Sequence, residues 1–327
     1  MPTTLTHTIN ALAACLLAAG IAGAHAQTQG KYPTKPIRVV TPFAPGGGSD
    51  TLARLIGPQL HEAWGQPIIV DNRGGGGGTI GAGIVVNAPP DGYTLILVSG
   101  SYGSNAALHK LPYDTVTDIQ PIILIGETGL VVTMHPTSPI KSMKEFIEAA
   151  RAAPGKFNYG SAGTGGLGHL AGELFKLDTK ANITHVPYKG SGPVVTALLA
   201  AEVHTSFSSM VPAIPHIRSG RLRAIGITPG KRSRSLPDVP SISETLPGFE
   251  VIHWYGMWGP KALPQNIIQQ WNREVSRIMK TPAMQKWFEN EGMEPAGGPP
   301  EQFHNRIKSD VEKWKRVVRE AKIPVSG

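Results

Sequence analysis

Residues 45–50 read Pro-Gly-Gly-Gly-Ser-Asp and stand between a β-type run, Ile37 to Phe43, and an amphipathic helical pattern. A strand, a glycine turn and a helix start in that order make a cradle for an anion. The first N–H groups of a helix have no intrahelical partner, and the helix dipole favours negative charge there. A second unit of this kind runs from Phe157 through Ser161-Ala162-Gly163-Thr164-Gly165-Gly166 into a helix carrying His169. A third is Val186-Pro187-Tyr188-Lys189-Gly190-Ser191-Gly192-Pro193, with proline in the first helical turn, a position helices tolerate. Such loops gather at the carboxyl ends of parallel strands, where open α/β sheets bind ligands. One cradle early in the chain and two in its middle predict half-sites that face each other across a cleft. Ser49 or Asp50 is the expected N-cap of the first helix. Asp50 is expected to fix the loop, because a carboxylate in direct contact with an anionic ligand would repel it.

Enzyme signatures do not assemble. Gly76 to Gly81 formally matches G-x-G-x-x-G, but a five-glycine run produces that match easily and Asp91 comes too soon for the ribose-binding acid. The run is better suited to a loop that passes close to another backbone or to the ligand. There is no phosphate-loop G-x-x-x-x-G-K-[ST] and no G-x-S-x-G elbow, and Ser161 with His169 lacks a nearby Asp to orient the imidazole. The histidines show no H-E-x-x-H spacing, so neither a metal nor a cofactor is expected. The aromatic group His253-Trp254-Tyr255 with Trp258 reads as core packing.

The elements that must position the cradles alternate nearly throughout. β-type runs cover Ile37–Val40, Pro67–Val70, Thr94–Val98, Ile122–Ile125, Leu130–Met134, Phe157–Gly160, Ile183–Val186, Val203–Phe207 and Leu222–Thr228. Helical periodicity covers Thr51–Trp64, Met143–Arg151, His169–Leu177, Pro193–Ala201, Ile267–Lys280 and Pro300–Lys322. Strand alternating with helix predicts an α/β fold with mostly parallel sheets, and the length suggests two domains. Pro58 should kink the first helix.

Residues 1–26 contain no Lys, Arg, Asp or Glu, are apolar or small from Ala11 to Gly23, and end in Ala24-His25-Ala26. This reads as a cleaved secretory signal peptide, too short to span a bilayer. Leu12-Ala13-Ala14-Cys15 offers a lipoprotein alternative. Cys15 is the only cysteine, so the cleaved chain has none and relies on its core rather than on disulfides. The net charge of +8 in an exported protein favours small anions over nucleic acid, and the basic stretch Arg218 to Arg234 lacks interleaved aromatics for base stacking.

An ordered set of motifs spans the whole mature chain: Tyr32-Pro33 to Ile37, Phe43-Ala44-Pro45-Gly46-Gly47 with Asp50, Val70-Asp71-Asn72-Arg73, Asp91-Gly92-Tyr93-Thr94-Leu95, Tyr159-Gly160-Ser161 with Gly163, Gly165 and His169, Val186-Pro187-Tyr188-Lys189-Gly190, and Arg232 with Pro237-Asp238-Val239-Pro240. In these the sequence resembles the receptors of tripartite tricarboxylate transporters, also called Bug or TctC-type extracytoplasmic solute receptors. The resemblance implies a type II periplasmic-binding-protein fold, two α/β domains with a hinge and an interdomain cleft. It implies a segment 27–126, a second domain 127–228 and a return over 229–327, with crossings near 123–131 and 225–241. It further implies a periplasmic monomer that binds a small organic carboxylate and works with transporter membrane subunits. In such receptors the loop matching Phe43–Asp50 holds a carboxylate through backbone donors and two ordered waters, and the loop matching Ser161–His169 grips from the other side. The expected contact set is Phe43, Ala44, Pro45, Gly46, Gly47, Gly48, Asp50, Ser99, Ser101, Ser161, Gly163, Thr164, Gly165, His169, Tyr188 and Ser208.

Three positions depart from the family pattern. Gly166 stands where Ser or Thr is frequent, and His204 and Ser208 stand where Asp is frequent. The first suggests extra space and a bulkier or aromatic carboxylate; the other two remove acids that would oppose an anion. Two other functions use the same residues: a sensor that presents its ligand to a membrane signalling protein, and a secreted ester hydrolase that depends on Ser161.

Overall fold

The computed structural model describes residues 32–320 and 323–325. The leader, its cleavage site and Cys15 lie outside the described residues. From Lys35 onward the chain is one unit, and its elements follow in order. They are β1 (Ile37–Thr41), α1 (Gly48–Trp64), β2 (Ile68–Asn72), α2 (Thr79–Val86), β3 (Thr94–Ser99), α3 (Ser101–Leu108) and β4 (Ile119–Met134). Then come α4 (Met143–Ala152), β5 (Phe157–Ser161), α5 (Leu167–Thr179), β6 (Ile183–Pro187), α6 (Ser191–Leu199), β7 (Thr205–Ser209), α7 (Met210–Arg218) and β8 (Arg223–Ile227). The chain ends with β9 (Ile252–Pro260), α8 (Gln265–Met279), α9 (Pro282–Glu291), β10 (Glu294–Pro295) and α10 (Pro300–Glu320).

β4 is the organising element. Its first part, Ile119 to Gly129, pairs antiparallel with β9, which continues through β3 and β1 to β2. Its last part, Leu130 to Met134, pairs antiparallel with β7 and β8, and β7 continues through β5 to β6. One strand thus belongs to two half-sheets and changes partners at Gly129–Leu130. A Cβ on Gly129 would come within 2.3 Å of Pro229, so only glycine fits that crossing. The runs Ile122–Ile125 and Leu130–Met134, expected as two strands, are one strand of 16 residues. The sheets are mixed rather than mostly parallel, because β4, β8 and β9 run against their neighbours.

β9 is the strand that periodicity hid. Nearly every residue from His253 to Pro260 is buried, so no polar alternation marks it. Its period of two is functional instead. Trp254 and Trp258 are fully buried in a core with Val40, Ile96, Val98 and Phe303, while His253 and Tyr255 lie on the opposite face. Gly256 lets Phe303 of α10 reach the sheet, since a Cβ there would meet the ring at 2.3 Å. In the second half-sheet Phe146, Tyr159, Phe175 and Phe207 form the core, joined by Trp314 and Val318 from α10. Each such side chain contributes about 1.5–3 kcal/mol of burial. The first helix starts at Gly48, three residues before the expected Thr51, and continues through Pro58 as one element.

Candidate functional site

The β1–α1 loop is held by side chains that face away from the cleft. Asp50 accepts hydrogen bonds from Gly46 N (3.0 Å), Arg54 Nε (3.0 Å) and Asn72 Nδ2 (3.1 Å), and Asn72 also donates to Thr41 Oγ1 and the Phe43 carbonyl. Burial pushes the Asp50 carboxyl up, but the bonds from Arg54, Gly46 and Asn72 outweigh it and hold its pKa below the ordinary value. Asp50 is therefore the loop's anchor. The N-cap is neither Ser49 nor Asp50 but Gly47, whose extended backbone leaves the helix start without a side-chain cap.

The β5–α5 loop is anchored by neutral groups. Ser161 Oγ lies 2.6 Å from His185 Nε2, the His185 ring stacks on His169 at 4.1 Å, and His169 Nδ1 accepts from Gly165 N at 3.3 Å. Glu173 stands 4.0 Å from His169 and accepts from Tyr159 and Lys176. Burial lowers both histidine pKa values, that of His185 to about 3, so both rings are neutral near pH 7. The structure thus brings a Ser–His pair together through a histidine that sequence reasoning had not considered. Ser161 is fully buried in it, and the pair braces the loop.

Each loop meets the opposite half: the first reaches the β6–α6 loop and the second reaches α3. Ala44 N donates to Lys189 O (2.8 Å), Ser104 Oγ to Gly165 O (2.8 Å), and Leu167 N to Ser101 Oγ (3.1 Å). His109 Nε2 lies 3.1 Å from Thr164 O, and Ser209 Oγ lies 2.6 Å from Tyr255 Oη. Glycines make the approach possible. A Cβ on Gly77 would stand 2.5 Å from Thr164 O, and one on Gly192 would stand 2.7 Å from Pro45 O. The five-glycine run thus passes close to the backbone of the opposite half, as its composition suggested. Gly166 opens no extra space: a Cβ there would meet Gly163 O at 3.1 Å and Ser101 Oγ at 3.4 Å. The inference of a bulkier or aromatic ligand loses its support. His204 is exposed and bonded to Asn158, away from the cleft.

Between the halves lies a cavity of about 20 Å³, room for about one water molecule. From the expected set Phe43, Gly47, Gly48, Ser99, Ser101 and Ser208 line it. Ala44, Pro45, Gly46, Asp50, Ser161, Gly163, Thr164, Gly165, His169 and Tyr188 do not; they build the loops and the seam around it. Sequence reasoning missed Ser49, Ser191, Ser209, His253 and Tyr255 in the lining, together with Leu130, Ala162, Leu167, Gly168 and Phe207. For Ser191 the signal was present in the third strand–glycine–helix unit. For His253 and Tyr255 it was hidden with β9.

Two features of the cavity suit an anion. The starts of α1, α3, α5, α6 and α7 all contribute lining residues, and none carries a cap from its own N-cap side chain. Five positive dipole ends thus stand around one small space, and of their first N–H groups Leu167 N donates to Ser101 Oγ. No Lys, Arg, Asp or Glu lines it, so its polarity comes from serine hydroxyls, Tyr255, His253 and the backbone. Burial and the nearby Arg306 keep His253 neutral, with a pKa lowered to about 3. Among the described residues there is no cluster of His, Cys, Asp or Glu suited to a metal, and no helix is long and apolar enough to cross a membrane.

Comparison with known proteins agrees with this architecture. The family model described as "Tripartite tricarboxylate transporter family receptor" matches residues 52–323. The structure of the periplasmic binding protein BugD is 30% identical, with a TM-score of 0.86, and the match covers 90% of this chain and 99% of that one. A protein from R. palustris determined with adipate is 33% identical, with a TM-score of 0.86 and coverage of 90% and 99%. MatC from Rhodopseudomonas palustris, determined with bound malate, is 32% identical, with a TM-score of 0.84 and coverage of 88% and 100%. The fold is the two-domain α/β fold of type II periplasmic binding proteins. The chain belongs to the tripartite tricarboxylate transporter receptor family, Bug or TctC-type proteins that bind solutes and are not enzymes.

Proposed function

We propose that this protein captures a small organic carboxylate between its two halves and delivers it to the membrane subunits of a tripartite tricarboxylate-type transporter. The observation that carries the reading is the gathering of five helix starts, none capped by its own N-cap side chain, around a cavity without a charged side chain. Bringing five positive dipole ends together is unfavourable without an anion, so a carboxylate favours the closed arrangement and closure retains the carboxylate. Charge-assisted hydrogen bonds of about 1.5–3 kcal/mol each make a few such contacts sufficient for micromolar binding after ordering costs. The adipate and malate of the two R. palustris relatives support a carboxylate of this size.

In this reading the halves are domains that move about the crossings, with 27–126 and 229–327 in one and 127–228 in the other. Space for about one water does not admit an acid of several carbons, so ligand access requires the seam at Ala44–Lys189 and Ser104–Gly165 to part. The protein acts as a periplasmic monomer after cleavage of residues 1–26. Phe43, Gly47, Gly48, Ser99, Ser101 and Ser208 contact the ligand, while Asp50, Ser161 and His169 hold the contacting loops. Calorimetric titration with di-, tri- and monocarboxylates tests the reading, alongside mass spectrometry of acid released from natively purified protein. Saturable binding of at least one acid is expected. No binding to any acid, with no acid released, overturns it.

A further inference from the structure

A second concavity stands apart from the cleft. It is a surface groove of about 370 Å³ between α2 and the segment that follows α3, and it shares no lining residue with the cleft cavity. Its apolar lining is Ile80, Leu111, Pro112 and Tyr113. Among the described residues the exposed large hydrophobic side chains are Ile69, Ile80, Leu177 and Val325, and Ile80, 55% exposed, is the one of them in this groove. A lone exposed apolar side chain is ordinary. One grouped with other apolar residues around a concavity of ligand size has the character of a binding surface.

Glycines shape this groove as they shape the cleft. A Cβ on Gly75 would stand 2.6 Å from Ile80 Cδ1, and one on Gly76 would stand 2.3 Å from Thr79 Oγ1. Side chains at either position would displace the residues that line the groove. Gly83 also lines it, and apart from its own helix a Cβ there would meet Tyr113 Cε1 alone, at an ordinary 3.9 Å. The space over Gly83 is therefore open.

The polar groups are few and include no acid. Thr79, His109 and Lys110 line the groove, and no Asp or Glu does. His109 Nε2 is engaged at the seam, 3.1 Å from Thr164 O. Lys110 is exposed, and no hydrogen bond or ion pair to the described residues holds its ammonium. The next acids along the chain are occupied elsewhere. Asp114 accepts from Val116 N and Thr117 N at 2.8 Å, while Asp118 accepts from Asp114 N and pairs with Lys261. An apolar groove with one uncommitted cation complements an amphipathic anion.

We propose that this groove is a second binding site, for an organic anion with a medium-length apolar body such as an aliphatic acid. The apolar body lies over Gly83 against Ile80, Leu111, Pro112 and Tyr113, and the carboxylate pairs with Lys110. Contact with the apolar lining supplies most of the affinity, since an exposed ion pair adds little. The inference is independent of the carboxylate reading of the cleft.

Octanoate is the probe, titrated into protein with methyl-labelled isoleucine, the Ile80 resonance being assigned through Ile80→Val. The Ile80 methyl should shift saturably, and butyrate should bind roughly tenfold or more weakly because it covers less apolar surface. Lys110→Gln should weaken octanoate about twofold to fivefold, the effect of one exposed ion pair, and leave octan-1-ol unchanged. Gly83→Leu fills the groove and should abolish the shift. Gly47→Val alters the cleft loop and should leave the Ile80 titration as it is. A shift that is absent, stays linear in octanoate, persists in folded Gly83→Leu or vanishes in Gly47→Val overturns the second site. Octanoate affinity untouched by Lys110→Gln overturns the choice of an anion. If Gly83→Leu does not fold by circular dichroism, the butyrate comparison and Lys110→Gln decide. Failure here leaves capture of an acid in the cleft standing, because that rests on titrations of other acids and on the acid released from natively purified protein.

Discussion

The two loops that close on the cavity have the same local plan, strand, glycine turn and helix start, yet they are braced by opposite chemistry. The first, 43–50, is held by an ionised carboxylate: Asp50 gathers Gly46 N, Arg54 and Asn72. The second, 161–169, is held by neutral imidazoles: His185 on Ser161, and His169 on Gly165 N. In both cases the bracing groups are absent from the cavity lining. The lining therefore offers hydroxyls, backbone, dipoles and the neutral His253, while the groups that brace the two loops stand behind them. Geometry in this cleft is set by charge in one loop and by burial in the other, and each can be disturbed without touching the other.

Glycine substitutions should separate loop geometry from ligand contact with the largest effects. Gly168→Ala puts a Cβ 2.1 Å from the Phe207 carbonyl oxygen, a backbone atom that cannot step aside. It should destabilise the protein by about 1–3 kcal/mol, read as a lowered Tm. Gly47 has φ −83° and ψ 167°, and its nearest neighbours to a Cβ are 3.7 and 4.0 Å away. Gly47→Val should leave Tm nearly unchanged and weaken carboxylate binding roughly tenfold or more, the loss of about one charge-assisted contact. Equal losses of stability and binding in Gly47→Val would make this loop structural only.

Removing the brace of the first loop comes next. Asp50→Asn forfeits the Arg54 attraction and one full acceptor, and should cost about 1–3 kcal/mol of stability. Ser161→Ala in the second loop removes one neutral bond to His185 and should cost about 0.5–1.5 kcal/mol. Urea unfolding of both variants checks the order. A larger effect for Ser161→Ala would mean that the neutral brace carries more of the closed arrangement than the ionic one.

These distinctions were partly legible in the sequence. The glycine loops, the anchoring role of Asp50 and the close backbone approach of Gly74–Gly78 all follow from backbone freedom and charge, which are local properties. The division of β4 between two half-sheets was not legible, because an apolar run looks the same whichever strands it pairs with. β9 escaped because both its faces are buried, one against Phe303 and one against the cleft. The serines at 49, 191 and 209 and the pair His253 and Tyr255 become neighbours only through that topology. Gly166 shows the opposite error: a missing side chain suggested empty space, whereas Ser101 from the other half fills it and caps α5.

Acid should loosen the second loop before the first. An unfolded imidazole takes up its proton near pH 6.5 and an unfolded Asp near 3.9. His185, neutral when folded to about pH 3, and His169, also lowered, lose stabilising effect as the pH falls below about 6.5, since the unfolded chain then binds more protons. Asp50, with its pKa lowered, keeps its contribution until the pH falls below about 4 and loses it through its still lower folded value. Glu173 partly offsets the first effect, whereas Lys176 and, for His169, His109 add to it. Amide exchange corrected for its intrinsic pH dependence should show residues 161–169 losing protection between pH 6 and 4.5 while 43–50 stay protected. Parallel loss in both loops would contradict the division of labour.

The smallest effect should come from the one side-chain pair that joins the halves inside the cavity wall. Tyr255 Oη lies 2.6 Å from Ser209 Oγ, and Gly48 leaves it room, since a Cβ there would overlap the tyrosine oxygen at 2.0 Å. Burial raises the Tyr255 pKa, so the hydroxyl is neutral throughout the working range. Tyr255→Phe keeps the ring and removes one neutral bond of about 0.5–1.5 kcal/mol. Because that bond exists only while the halves are together, its loss falls on closure: ligand affinity should drop roughly threefold to tenfold through a faster off-rate. Stopped-flow displacement measures that rate directly. An unchanged off-rate with a lowered Tm would place Tyr255 in the core of its own half and leave closure to the backbone seam between Ala44 and Lys189.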